Sequence, residues 1–199
     1  MKENIIRYDF QIGRVDRRVK NKHNSFLIWY TGLSGSGKST IANLVEQELF
    51  KLDVKTYILD GDNIRKGINN DLTFSPEDRS ENIRRIGEIA NLMVDAGLVV
   101  LAAFVSPYKK DREKVRNVVK DINFMEIFIK TSLEECERRD VKGLYSKAKI
   151  GKINDMTGIS APYEVPENFD IEIDTEKLTI EQSVQQIIAF IKPKLKLDQ

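Results

Sequence analysis

Eight consecutive residues carry the densest chemistry in this chain. Gly32-Leu33-Ser34-Gly35-Ser36-Gly37-Lys38-Ser39 fits G-x-x-x-x-G-K-[ST], a spacing that lets backbone N–H groups curl around phosphates. In this pattern Lys38 is the catalytic cation that reaches the β- and γ-phosphates, and the Ser39 hydroxyl is a ligand for Mg²⁺. Thr40 continues the cradle into the element that follows. ATP and Mg²⁺ are the implied cofactors. A second charged cluster, Asp60-Gly61-Asp62-Asn63-Ile64-Arg65, is followed by Phe74, Arg79 and Asn82. Phosphoryl transfer needs positioning and charge neutralisation more than covalent chemistry, so Arg65 and Arg79 are candidate holders of an anionic acceptor and Asp62 the group that meets its hydroxyl. Arg84 and Arg85 read as a solvated helix face, and Asp60 as a turn closer.

The loop needs a strand before it and a helix after it, and the sequence supplies both. Phe26 to Tyr30 (FLIWY) is an apolar run that suits a buried parallel strand, and from Thr40 apolar residues recur at three- and four-residue steps. Further strands are expected over Val54–Leu59, Leu98–Val105, Asn123–Lys130 and Phe169–Asp174. Helices are expected over Ser80–Ala96, Lys109–Val119, Ser132–Asp140 and Ile180–Ile191. Alternating strands and helices predict an α/β fold: a parallel sheet with helices on both faces, ligands lying beyond the carboxyl ends of the strands. Residues 25–199 form this single domain and 1–24 an N-terminal arm. The arm carries Arg14, Arg17 and Arg18, as a solvated segment or one draped over a second subunit. The stretch 141–166 lacks a sustained apolar period and reads as a lid.

Composition narrows the function classes. Lysine plus arginine total 32 against 31 acidic residues, so no global field favours a nucleic-acid polymer or an anionic membrane. No apolar stretch approaches the ~20 residues that span a bilayer. A single cysteine and a single histidine exclude a disulfide framework and a Cys/His metal site. A cytoplasmic protein with a small-molecule nucleotide substrate is the expectation. A nucleotide-hydrolysing switch, with water as acceptor and a protein partner, is the competing class. Trp29 reads as a core or dimer-contact residue and Cys136 as structural.

The chain resembles the adenylylsulfate (APS) kinases over nearly its whole length. The resemblance rests on TGLSGSGKST at 31–40, DGDNIR at 60–65, DLTFS at 71–75, ENIRRIGEIA at 81–90, FVSPY at 104–108, RDVKGLY at 139–145, and TGI with PYEVPEN at 157–168. It implies an α/β fold of the P-loop kinase type and transfer of the ATP γ-phosphoryl group to the ribose 3′-hydroxyl of adenylylsulfate, in sulfate activation, by a dimeric enzyme. It implies Asp62 as the catalytic or metal-assisting aspartate, and Arg65, Arg79 and Asn82 as acceptor-binding residues. Phe74 would stack on the acceptor base, with Val105 and Ser106 bordering it. Ser106 matches a serine that the family treats as a phosphoserine intermediate; lacking a histidine partner here, it is read as a hydrogen-bonding residue of the catalytic site. Lys142, Gly143 and Leu144 would close over the acceptor, and Arg139 would lie near the ATP base. The chain departs from the family pattern at Met156, where a phenylalanine would sandwich the adenine. It departs again at Ser160 for aspartate, Lys66 for histidine and Tyr8 for histidine. Relatives that phosphorylate a cytidine nucleotide carrying a phosphoramidate supply the alternative acceptor.

Overall fold

The computed structural model describes residue 6 and residues 8–197. Five parallel strands form one sheet: β1 (Leu27–Thr31), β2 (Thr56–Asp60), β3 (Val99–Ala103), β4 (Phe124–Lys130) and β5 (Ile171–Asp174), in the order β2-β3-β1-β4-β5. Every residue of β1 and β3 is buried, as expected for central strands covered on both faces. Side chains of β1 alternate between two cores. Ile28 and Tyr30 pack with α2 (Lys38–Lys51) and α8 (Ile180–Ile191), while Leu27 and Trp29 pack with α4 (Pro76–Asp95) and α5 (Lys109–Val119). Trp29 is fully buried, stacked on Phe104 at 5.5 Å between centroids, so it is a core residue.

Helix α4 begins four residues before the sequence expectation. Ser75 accepts from the Asp78 N–H at 3.2 Å, Pro76 occupies the first turn, and Glu77 and Asp78 complement the helix dipole. This polar start precedes the first apolar repeat. Two six-residue helices, α3 (Gly61–Lys66) and α7 (Leu144–Lys149), fall where turn and lid were expected. Helix α6 (Leu133–Arg139) is capped by Ser132.

Part of the expected arm is helix α1 (Arg14–Asn21), docked on its own domain; residues 1–5 and 7 of the arm lie outside the described residues. Arg17 donates to Asp95 at 2.9 Å, Arg14 to Asn91 at 3.4 Å, and Arg18 to Asn123 at 2.7 Å. Among the described residues no helix is long and apolar enough to cross a membrane.

The register explains where a site can form. Asp60 of β2 lies opposite Ala103 of β3, and Ala103 opposite Tyr30 of β1. The chain therefore leaves three adjacent strands at one edge, where the connection from β1 runs through α2 to β2 on one side and the connection from β3 runs through α5 to β4 on the other.

Candidate active site

A cleft of about 290 Å³ opens at that edge, and both charged clusters line it. The loop after β1 reaches it first. Gly35 and Gly37 take φ of +79° and +100°, and a Cβ at Gly32 would stand 2.5 Å from the Ile129 carbonyl oxygen. These positions exclude side chains and leave the backbone free to wrap an anion. Lys38 starts α2 and is buried, its Nζ donating to the carbonyls of Gly32 at 2.9 Å and Leu33 at 2.7 Å. Burial pulls its ammonium down to about 8 from the ordinary lysine range. An arriving phosphate would supply the countercharge that the carbonyl dipoles replace only in part.

Ser34, Gly35, Gly37, Lys38, Ser39 and Thr40 line the cleft. Gly32, Leu33 and Ser36 stand behind them as the loop's frame, with Lys38 Nζ also 3.4 Å from Ser36 Oγ. Arg139 is not at the cleft wall. Its guanidinium donates to the Thr175 carbonyl at 3.0 Å and to Ser36 O at 3.5 Å, which braces the loop from behind.

Asp60 is the residue that sequence reasoning undervalued. It caps α3, accepting from the N–H groups of Asp62 and Asn63, and its Oδ2 accepts from Ser39 Oγ at 2.7 Å. A hydroxyl that donates to a carboxylate turns its lone pairs outward, toward a cation. The signal was in the sequence, as a carboxylate at a strand's carboxyl end beside the phosphate loop. Among the described residues no group of three or more His, Cys, Asp or Glu could hold a metal ion. The oxygen donors of Ser39 and Asp60 instead suit Mg²⁺, which keeps several waters and takes further ligands from phosphates.

Across the cleft stand Asp62, Arg65, Phe74, Arg79 and Asn82. Phe74 is 58% exposed, with the Arg65 guanidinium 4.4 Å and the Arg79 guanidinium 5.7 Å from its ring centre. Burial lowers the pKa of both arginines, and the Arg79 charge lowers that of Arg65 further while Asp78 and Asp62 offset it in part, so two cations share one side of the cleft. Asn82 is buried and accepts from Asn69 at 2.9 Å. Arg85 forks onto Asp71 at 2.8 and 2.9 Å, which holds the segment that presents Phe74; this contact between α4 and a distant turn was not legible in the sequence.

The lid approaches from above. Lys142 pairs with Asp62, and Val141, Lys142 and Leu144 line the cleft, while Gly143 precedes α7 as its N-cap with φ of +63°. Arg79 donates to Thr157 Oγ1 at 2.6 Å and to the Asp155 carbonyl, tying the far end of the lid to α4.

Two of the expected site residues turn their side chains away from the cleft. Met156 does not face the cleft. It is buried with Cys136 and Tyr145 in a small apolar core beneath the lid, and its carbonyl accepts from the N–H groups of Ile159, Ser160 and Ala161. A thioether in that core packs the lid instead of walling an adenine. Ser106 lines the cleft floor beside Val105, but its hydroxyl turns into the fold. It is 2% exposed, accepts from Trp29 Nε1 at 3.0 Å and donates to Thr31 Oγ1 at 3.0 Å. A hydroxyl so enclosed is not presented to a γ-phosphate.

Comparison with known proteins bears on the site as a whole. A family model described as adenylylsulphate kinase matches residues 24–174. An adenylyl-sulfate kinase of Staphylococcus epidermidis is 60% identical over 185 residues, 93% of each chain, and one of Oceanobacillus iheyensis is 56% identical over 191 residues, 96% of each. The solved APS kinase of Mycobacterium tuberculosis, in complex with AMPPNP and APS, aligns with a TM-score of 0.82 at 44% identity, covering 85% of this chain and 98% of that one.

Proposed function

The chain belongs to the adenylylsulphate kinase family, and from that premise we propose how its cleft moves the γ-phosphoryl group of ATP to the ribose 3′-hydroxyl of adenylylsulfate, giving ADP and 3′-phosphoadenylylsulfate. One observation carries the residue-level reading: a single cleft is lined on one side by Lys38 and Ser39 and on the other by Asp62, Arg65, Phe74, Arg79 and Asn82. A donor and an anionic nucleotide acceptor can therefore meet there without bulk water between them.

Lys38 leaves its own loop carbonyls for the phosphates and neutralises charge that grows during transfer. Ser39, oriented by Asp60, would hold Mg²⁺, which when bound supplies charge neutralisation at the β- and γ-phosphate oxygens. Asp62 accepts the proton of the attacking hydroxyl, and the Lys142 contact holds its carboxylate at the cleft before the acceptor arrives. Arg65 and Arg79 grip the sulfate and phosphate of the acceptor, and Phe74 offers a face to its base. Val105 and Ser106 form the floor by backbone and packing, so transfer is direct and in line, with no phosphoserine. Closure of residues 141–166 excludes water, the competing acceptor.

A homodimer is part of the same reading. Phe10, Ile12, Val15 and Val19 at and before α1 are all exposed, an apolar run that a second copy would cover.

Phosphorus NMR of the products tests the proposal. The expected result is one ADP formed per new phosphomonoester, with that group on the ribose 3′-carbon. Inorganic phosphate in place of the ester would mean that water is the acceptor and the protein a hydrolase.

A further inference from the structure

The loop flooring the acceptor half is held from behind by a buried arginine that takes no part in the transfer itself. Ser106 adopts φ of +42° although it is not glycine, and it precedes Pro107. The left-handed region is unfavourable for such a residue, and a proline to its C-terminal side restricts it further to extended conformations. Such a conformation persists only where the surroundings over-determine it.

Two sets of bonds do so. The Ser106 hydroxyl is fixed by Trp29 and Thr31. Its carbonyl accepts from Arg112 Nη1 at 2.7 Å. The same guanidinium donates through Nη2 to the Glu164 carbonyl at 2.8 Å, and its Nε stands 2.7 Å from Glu126 Oε1. The side chains of Arg112 and Glu126 are 3% and 7% exposed. Glu164 completes the connection: its N–H donates to the Pro107 carbonyl at 2.8 Å, and its carboxylate accepts from the Lys109 N–H at 2.6 Å. One fork thus joins the loop after β3, the middle of β4 and the segment by which the lid returns to the sheet.

Resting on the kinase reading of the cleft, we propose that Arg112 is a positioning residue for the acceptor, acting through the Ser106 backbone and Glu164. Arg112 is absent from the cleft wall, and its hydrogen bonds run to Ser106 and Glu164, away from the phosphate loop. Its influence falls on acceptor binding and not on ATP. A lysine in its place keeps the charge opposite Glu126 but lacks the rigid fork that donates to the Ser106 and Glu164 carbonyls at once.

The experiment compares Arg112→Lys, and the double variant Arg112→Met with Glu126→Met, against wild type. The double variant removes both charges of the buried pair, and Arg116, which also faces Glu126 at 3.5 Å, keeps Asp121 at 2.7 Å, so it folds where a single neutral replacement could fail. Two readouts are taken: the KM of adenylylsulfate and of ATP, and the indole N–H resonance of Trp29, the sole tryptophan, in ¹⁵N-labelled protein. In both variants the acceptor KM rises about tenfold or more, the ATP KM stays within about twofold, and the indole resonance moves because its Ser106 partner shifts. An unmoved indole resonance with unchanged acceptor KM, or an equal rise in both KM values, would overturn the proposal. If wild type showed no turnover with adenylylsulfate, the kinase reading would fail, and the indole resonance would still decide whether Arg112 sets Ser106.

Discussion

In the proposed reading the donor half of the cleft is built mainly from one stretch, residues 32–40, whose lysine bonds back onto its own loop, with Asp60 orienting Ser39 and Arg139 bracing Ser36 from behind. The acceptor half is gathered from α3, the start of α4, the loop after β3 and the lid, segments that meet only because the sheet aligns their strands. Contiguous sites tolerate distant change, because their geometry is set by local backbone. Composite sites depend on packing elsewhere, so the acceptor half is where remote contacts such as Arg112 to Ser106 or Arg85 to Asp71 become functional. Substitutions on one side should therefore leave binding on the other nearly intact.

The largest effect that would sharpen this division is at Asp62. Asp62→Asn should lower kcat by roughly 10² to 10⁴-fold, the usual range for a positioned base, with the ATP dissociation constant held within about twofold. A loss of ATP affinity instead would join the two halves. Next, Arg79→Ala removes a charge-assisted grip on the acceptor and should raise the adenylylsulfate KM by about 10- to 100-fold. Steady-state titration of each substrate at saturating partner reads it directly, and an equal rise in the ATP KM would break the comparison.

The donor side has a signature in pH. Burial holds Lys38 at about 8 in the free protein, so its cation predominates below that pH and is lost above it. kcat/KM for ATP reports the free enzyme and should fall about tenfold per pH unit above pH 8. At saturating ATP the phosphates stabilise the ammonium, so kcat should persist to higher pH. A kcat/KM for ATP flat to pH 10 would contradict the burial.

The smallest effect concerns the lid. Met156→Phe overpacks the small core that holds Cys136 and Tyr145, and should destabilise the fold by about 1 to 3 kcal/mol with the adenylylsulfate KM within about twofold. Tighter acceptor binding would place that side chain in the pocket after all.

The same contrast explains what could be read from the sequence. The apolar run into β1, the glycine spacing and the bounds of α5 and α8 follow from local pattern, and the sheet's parallel class follows from their alternation. Short α3 and α7 have too few residues for an apolar period. The first turn of α4 was hidden because its signals are a serine cap and acidic residues, which look like loop. Motif matching named one by one the residues that line the far side of the cleft, but it did not show that Met156 turns inward or that the Ser106 hydroxyl is enclosed. Those outcomes are fixed by contacts across many residues, such as Trp29 to Ser106.

In the proposed reading it is the composite half that recognises adenylylsulfate. Initial rates of ADP release should be measured with adenylylsulfate, with a cytidine nucleotide carrying a phosphoramidate, and with no acceptor. Rapid release is expected with adenylylsulfate alone. Release that is equally fast without acceptor, or that favours the cytidine nucleotide, would contradict it.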